Sequence, residues 1–219
     1  MQSNGPRQFL SRFRSEILDL GEKAAATIGR DGTCNLQYVP FETVNAAARL
    51  VLVGITPGNN QIKIAYRVLR EALRSGICDA DALAQAKSAG AFGGGAMRSR
   101  LNAMMHRFRI HELIGIGTPD EIWTGRRELL HATSVVPHAA FMNGRMFNGP
   151  FAAVLGSPLL RESFEQDFLP TLSMLPSSAY FIALGRVPLD ALDWCVRQGC
   201  LRPGQLLGAF PHPSGSAGS

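Results

Sequence analysis

The stretch that decides the fold is Leu50-Val51-Leu52-Val53, a run of four apolar residues that ends at Gly54. A short, continuous apolar run of this kind is typical of a strand that is buried on both faces of a sheet. Three later stretches share the pattern, and segments with helical periodicity separate them: residues 129–136, 180–184 and 205–210. Strands that alternate with helices predict an α/β fold, here a three-layer α/β/α arrangement around a four-stranded parallel sheet.

The composition predicts one domain that spans residues 1–219, with an N-terminal helix and loop over residues 1–45 packed on it. Of the 219 residues, 46% are hydrophobic and 18% are charged, which is ordinary for a chain that buries a core. No apolar run approaches the roughly 18 residues of a membrane span, and the first ten residues lack the apolar region of a secretory signal. We therefore expect a cytoplasmic monomer without a membrane partner.

The charged residues point to a polyanionic partner. The formal net charge is +5, from 22 basic and 17 acidic residues, and only three of the basic residues are lysines. Arginine binds phosphate through a planar fork and stacks on bases, although a GC-rich genome would produce the same bias. The four cysteines show no C-x-x-C spacing, so we expect neither a zinc nor an iron–sulfur site, and no cofactor.

Unusual turn and polar residues follow the predicted strands. Parallel sheets bind their ligands beyond the carboxyl ends of the strands, so functional residues should follow directly there. The four strand ends carry residues 54–59, Pro137-His138, Gly185-Arg186 and residues 211–214. The agreement between predicted strands and unusual chemistry makes this edge of the sheet the candidate site.

Two of these strand ends carry the most informative motifs. In residues 54–61 a glycine and a Pro-Gly pair let the backbone approach a ligand closely, although a plain strand-to-helix turn would show the same residues. The spacing matches neither a phosphate-binding Walker loop nor a dinucleotide-binding motif. His212 lies between two prolines, which fix its backbone, and a neutral imidazole there can donate a hydrogen bond to a developing anion. The alternative is a histidine with a purely structural role.

Taken together, these motifs resemble those of the uracil-DNA glycosylase superfamily. Gly54-Ile55-Thr56-Pro57-Gly58 is similar to its first motif, and His212-Pro213-Ser214 is similar to its second. Ala183-Leu184-Gly185-Arg186 resembles a strand end of the bacterial and archaeal branches, and Ala91-Phe92-Gly93-Gly94 resembles the segment that lines the base pocket. The similarity runs from about Leu50 to Ser214. It implies a uracil-DNA glycosylase-like fold, but the cysteines exclude the iron–sulfur branch.

The resemblance also assigns roles to single residues. His212 would donate a hydrogen bond to the uracil oxygen that gains charge, while Thr56, Asn59 or Asn60 would orient the attacking water. Thr56 departs from the aspartate of the most active branch, and Gln61 stands where the iron–sulfur branch often has an acid. The base would be bound by the first motif and by three later side chains: Gly54, Ile55, Pro57, Gly58, Gln61, Phe92 and Ser134.

Recognition of the base departs from the family at Ser134. Family members usually read uracil with an asparagine at this position, and one serine hydroxyl offers fewer fixed contacts. Discrimination against related bases should therefore be relaxed. His138 and Asn143, in the loop that follows, are candidates to supply the missing contacts.

The resemblance implies a base-excision-repair enzyme that grips DNA and flips out the damaged base. It would excise uracil, or a related deaminated base, by hydrolysing the N-glycosidic bond. A catalytically weak uracil- or DNA-binding protein of the same fold is one alternative, and a nucleotide-binding phosphohydrolase is another. Relatives continue beyond the position of Ser219 with a loop that wedges into DNA. The predicted DNA contacts are Arg98, Arg145, Ser214, Gly215 and Ser216.

Overall fold

The computed structural model describes residues 5–19, 25–94 and 96–213, which form an α/β fold with two four-stranded sheets. The helices are α1 (Leu10–Asp19), α2 (Asn59–Arg74), α3 (Asp79–Gly90), α4 (Met97–Arg107), α5 (Ile110–Leu113), α6 (Phe151–Gly156), α7 (Pro158–Ser163), α8 (Leu169–Met174) and α9 (Arg186–Arg197). Short 3-10 helices cover Pro119–Trp123, Arg127–Leu129 and Pro203–Gln205, and a π-helical turn covers Phe164–Phe168. The strands are β1 (Thr27–Asp31), β2 (Cys34–Gln37), β3 (Leu50–Gly54), β4 (Leu130–Ser134), β5 (Ala139–Met142), β6 (Arg145–Met146), β7 (Tyr180–Leu184) and β8 (Leu206–Phe210).

The parallel sheet contains the four strands that the sequence predicts. Its order is β4-β3-β7-β8, and every neighbouring pair is parallel. Gly54 is in register with Ser134, and Leu184 is in register with Phe210. The carboxyl ends of all four strands therefore meet at one edge, as expected.

Burial on both faces explains the continuous apolar run of β3, in which all five residues are buried. Val51 and Val53 belong to a core that also contains residues of α6–α9. Leu50 and Leu52 point to the other face, into a core with residues of α4, α5 and the 3-10 helices. Because successive side chains of a strand alternate between its faces, both faces must be apolar.

The second sheet was not expected from the sequence. Its order is β1-β2-β5-β6, and all of its pairs are antiparallel. Helical periodicity of the first segment holds only over α1, because Ile28 already lies in β1. Each hairpin of this sheet turns through residues with positive φ, Gly32 in the first and Asn143-Gly144 in the second. Such turns need glycine or asparagine.

The N-terminal helix packs against α2 through an apolar stripe that includes Phe13 and Ile17. The Glu42 carboxylate accepts hydrogen bonds from the backbone N–H groups of Phe9 and Leu10 at the start of this helix, at 2.9 and 3.2 Å. These two bonds satisfy donors that a helix cannot pair within itself. Among the described residues, no helix combines the length and apolar character that crossing a membrane requires.

Candidate functional site

The first-motif turn connects β3 directly to α2, at the edge where the parallel strands end. Gly58 is the N-cap of α2 in an extended conformation, and no side chain caps this helix end. The backbone N–H groups of the first turn of α2 are therefore open to other acceptors. Asn59 is the first residue of α2 and is exposed.

Phe92 is held in a strained conformation beside this turn. Its φ is +50°, in the left-handed region that a bulky side chain seldom adopts, and its side chain is buried. Gln61 fixes the position, because its Oε1 accepts a hydrogen bond from the Phe92 N–H at 3.1 Å. Gly93 allows the close backbone approach that follows, since a Cβ there would lie 2.3 Å from the carbonyl oxygen of Ala89. Strain of this kind is concentrated at functional sites.

Three of the predicted base-binding side chains line one cavity, which we call the strand-end cavity. Gln61, Phe92 and Ser134 line it, together with Ala91 of the predicted pocket-lining segment and with Phe41, Ala132, Thr133 and Pro137. A Cβ placed on Gly54 would lie 3.4 Å from Ser134 Oγ and 3.8 Å from Cε1 of Phe92. The first motif, the aromatic segment and the end of β4 thus converge.

The strand-end cavity is small. Its volume is about 10 Å³, which is room for about one water molecule. A nucleobase would enter only after its walls had moved apart. The backbone of Ile55, Pro57 and Gly58 lies in the adjoining turn, and these three residues do not line the cavity.

His212 lies on the same edge of the sheet but does not line the strand-end cavity. It is exposed, and its Cβ lies 3.9 Å from the position of a Cβ on Gly185, directly after β7. Arg100 Nη1 donates a hydrogen bond to the Pro213 carbonyl at 3.0 Å and so anchors this segment to α4. Desolvation lowers the pKa of His212, which favours the neutral imidazole. The predicted contacts Ser214, Gly215 and Ser216 lie outside the described residues.

The Thr56 hydroxyl, predicted to orient water, makes two hydrogen bonds within the protein. It donates a hydrogen bond to the His138 carbonyl at 2.6 Å and accepts one from the Ala140 N–H at 2.9 Å. The hydroxyl proton is therefore engaged within the protein. The two bonds join the first-motif turn to the antiparallel sheet.

Arg98, a predicted DNA contact, is engaged with backbone carbonyls of the protein. Its Nη2 donates hydrogen bonds to three backbone carbonyls around the end of α3, at 2.7, 3.1 and 3.0 Å. Its guanidinium carbon lies 4.8 Å from the centroid of the Trp123 ring. Arg98 thus holds protein segments together. Arg145, the other predicted arginine, is exposed at the start of β6.

The two side chains expected to compensate for Ser134 lie elsewhere. His138 is buried, its Nδ1 accepts a hydrogen bond from the Val39 N–H at 3.3 Å, and its ring meets Phe9 edge-on at 4.9 Å. Burial lowers the pKa of His138 to about 4. Asn143 is exposed in the turn between β5 and β6. Neither residue lines the strand-end cavity.

A second and larger cavity, of about 420 Å³, lies against the first three residues of β4. We call it the lysine cavity, because Lys87 is among its lining residues: Thr43, Val44, Asn45, Ala84, Gln85, Lys87, Ser88, Ala91, Ile122, Trp123, Arg127, Glu128, Leu130, His131 and Ala132. No residue predicted from the sequence as part of the site lines it. Within residues 5–19, 25–94 and 96–213, no group of three or more His, Cys, Asp or Glu side chains is placed to hold a metal ion.

Comparison with known proteins shows one clear relationship. No family model and no solved structure matches the chain. Over 190 residues, which are 86% of this chain and 74% of the relative, it is 30% identical to a protein of Bacillus subtilis (strain 168) named "Uncharacterized protein YoxB". The chain therefore belongs to the same family as YoxB.

Proposed function

We propose that this protein is a DNA glycosylase of the uracil-DNA glycosylase type, with a three-layer α/β/α arrangement. Its reaction would be the hydrolytic release of uracil, or of a related deaminated base, from DNA. The observation that carries the proposal is the convergence of Gly54, Phe92 and Ser134 at the carboxyl edge of a parallel sheet. The burial of both faces of β3 supports the layered arrangement.

The strand-end cavity supplies surfaces of the kind that a flipped base needs. Phe92 offers an aromatic face for stacking, and Phe41 adds a second aromatic ring to the cavity wall. Ser134 offers one hydroxyl, which can donate to or accept from the edge of a base. Because this hydroxyl rotates, the site would accept more than one deaminated base.

Bond cleavage requires stabilisation of charge on the leaving base. The sugar becomes similar to an oxocarbenium ion, and the departing base becomes an anion. A neutral His212 donates a hydrogen bond to that anion, after the segment that Arg100 anchors has moved against the base. The open N–H groups of the first turn of α2 add positive potential at the same edge.

The DNA backbone would be held by positive charge on the surface. The net charge of +5 favours association with phosphates, and Arg145 is an exposed cation at the start of β6, on the hairpin whose strand β5 is bonded to Thr56. Arg98 is not part of this surface in the proposal, because its guanidinium is engaged with the end of α3.

A uracil- or DNA-binding protein without turnover is the second candidate. Thr56 is engaged in hydrogen bonds to the backbone, and no carboxylate lines the strand-end cavity, so the part of the chain that the structure describes offers no general base there. A phosphohydrolase would need a carboxylate pair or metal ligands at the strand ends. Among the described residues, no group of three or more His, Cys, Asp or Glu side chains is placed to hold a metal ion.

Single-turnover release of the base separates these functions. The protein is mixed in excess with labelled oligonucleotides that contain uracil, hypoxanthine or xanthine, in single- and double-stranded form, and with a matched thymine strand. We expect release of at least one deaminated base and none of thymine. Tight, selective retention without release would favour the binding protein. If the protein neither releases a base nor selectively retains a strand, both candidates are contradicted.

A further inference from the structure

The lysine cavity has the size and walls of a small-molecule site. Its volume of about 420 Å³ lies within the range of about 300–1,000 Å³ that is typical of ligand pockets. It is bounded by the first half of β4, by α3, by the segment 43–45 and by the 3-10 helices between Pro119 and Leu129. Much of the wall is apolar, from the side chains Val44, Ala84, Ile122, Trp123, Leu130 and Ala132.

Lys87 brings a cation into this cavity without a counter-ion. Its Nζ donates hydrogen bonds to the carbonyl oxygens of Phe41, at 3.0 Å, and of Thr43. An ammonium group has three N–H donors, so one remains. No ion pair with Lys87 occurs in the described parts of the chain, and burial lowers its pKa to about 7. A buried charge is costly unless an opposite charge compensates it, and a ligand that enters the cavity can supply that charge.

His131 places a second, unused donor in the wall. Its Nδ1 accepts a hydrogen bond from the Asn45 N–H at 3.3 Å, so the neutral ring carries its proton on Nε2. That Nε2 is buried and has no hydrogen-bond partner among the residues that the structure describes. Burial and the nearby Lys87 hold the pKa of His131 well below its ordinary value, so the ring stays neutral. An unpaired buried donor is rare in proteins and calls for an explanation.

The other charged groups of the wall leave the cavity with a net positive character. Arg127 donates from its Nε to the Trp123 carbonyl at 2.8 Å. Glu128 is the acid of the wall, and Arg126 pairs with it at 2.7 Å. Its charge is therefore already compensated outside the cavity, whereas that of Lys87 is not.

We propose that the lysine cavity binds a small organic carboxylate whose body is aromatic or apolar. The carboxylate lies against Lys87 and serves as its counter-ion, and a small shift of the wall brings His131 Nε2 into range of the second oxygen. The body packs against Trp123 and the apolar wall. The site is separate from the one proposed for the base and does not depend on glycosylase activity.

A pair of matched probes tests the proposal on the full-length protein. 2-Naphthoate and 2-naphthylmethanol share one aromatic body and differ in charge. We expect calorimetry to show that naphthoate binds about tenfold to 100-fold more tightly than the alcohol, because the charge-assisted hydrogen bond forms only with the acid. Lys87→Met should remove this preference, and the exposed Lys63→Met should keep it. Equal affinity for both probes, or no binding of either, would overturn the proposal.

Two further measurements keep the test independent of folding effects in the Lys87 variant. Ala84 lies on the exposed side of α3 and lines the cavity, so Ala84→Phe should fill the cavity and weaken both probes. The sequence has only three lysines, so ¹³C-labelled lysine gives a readable NMR spectrum. We expect naphthoate to raise the pKa of Lys87 above about 7, and its affinity to fall as the pH rises through that value. An unchanged Lys87 titration at saturating naphthoate would contradict the assignment.

Discussion

The two cavities beside β4 differ in what the sequence reveals about them. The strand-end cavity contains three predicted residues and has room for about one water molecule, whereas the lysine cavity contains none and measures about 420 Å³. They share Ala91 and Ala132 as a common wall. Strand-end motifs therefore predict which segments meet, because the register of the strands determines it, but they do not predict the volume of a cavity, which depends on how distant loops pack.

The two cavities also differ in the unfavourable free energy that each carries, which is backbone strain in one and an uncompensated charge in the other. At the strand-end cavity, Phe92 carries backbone strain, and the cavity that it lines has room for about one water molecule. Strain of about 1–3 kcal/mol stored at one residue can be released when a site opens. The lysine cavity is already open, and its cost is electrostatic, because Lys87 lacks a compensating charge. In the two proposals, a base enters the strand-end cavity only after a movement of its walls, and an anion enters the lysine cavity without one.

Of the substitutions that would distinguish the two cavities, His212→Ala should have the largest effect, on the rate of base release. Loss of a donor to the leaving anion should lower base release by about 10²–10³-fold. The melting temperature should change little, because His212 is exposed, and naphthoate binding in the lysine cavity should be unaffected. His106→Ala, at another exposed histidine, is the matched control. An unchanged rate of base release would remove His212 from the mechanism.

Phe92→Ala should have an intermediate effect that is confined to the strand-end cavity. Base–aromatic stacking contributes about 1–3 kcal/mol, so binding of a uracil-containing strand should weaken by roughly fivefold to 150-fold. Phe92→Gly removes the same ring and also relieves the positive φ, so it should be more stable than Phe92→Ala. Fluorescence anisotropy and thermal melting measure the two quantities. Equal DNA binding by parent and variants would argue against stacking at Phe92.

Thr56→Val should have the smallest effect on either site while it destabilises the fold. The change keeps the shape of the side chain but leaves the Ala140 N–H and the His138 carbonyl without the Thr56 hydroxyl. Each lost partner costs about 1–3 kcal/mol when the group is buried, which urea denaturation would detect. Thr56→Ser should retain most of the stability. A large loss of base release in Thr56→Val, at a temperature where it stays folded, would support the predicted role of Thr56 in orienting water.

The parallel sheet could be predicted because the residue pattern within a strand indicates whether its two faces are buried. A run such as Leu50–Gly54 is apolar throughout only when both faces are covered, and its pattern does not depend on distant residues. The antiparallel sheet was missed although its turns are visible, as Asp31-Gly32 and Asn143-Gly144 are both typical of hairpins. With four and two residues, β2 and β6 are too short for an alternating pattern to predict a strand.

The sequence predicts the parts of the candidate site whose positions follow from the pairing of the strands. It does not predict the contacts that individual side chains make. Gly54 and Ser134 meet because β3 and β4 are in register, which follows from the sheet alone. The engagement of Thr56 and Arg98 depends on which carbonyls lie within reach, and these belong to segments whose approach the sequence does not state. Lys87 was overlooked because one lysine in a helical pattern is ordinarily solvated.

Arg98 shows why counting cations is a poor guide to where a protein meets its partners. Its guanidinium donates hydrogen bonds to the carbonyls of Ser88, Ala89 and Ala91 and also lies over the ring of Trp123. All three bonds come from Nη2, and a lysine at this position would preserve the charge but would lose the planar group that lies over the Trp123 ring. The residue therefore connects neighbouring segments of the protein, and its positive charge alone does not indicate a contact with a partner.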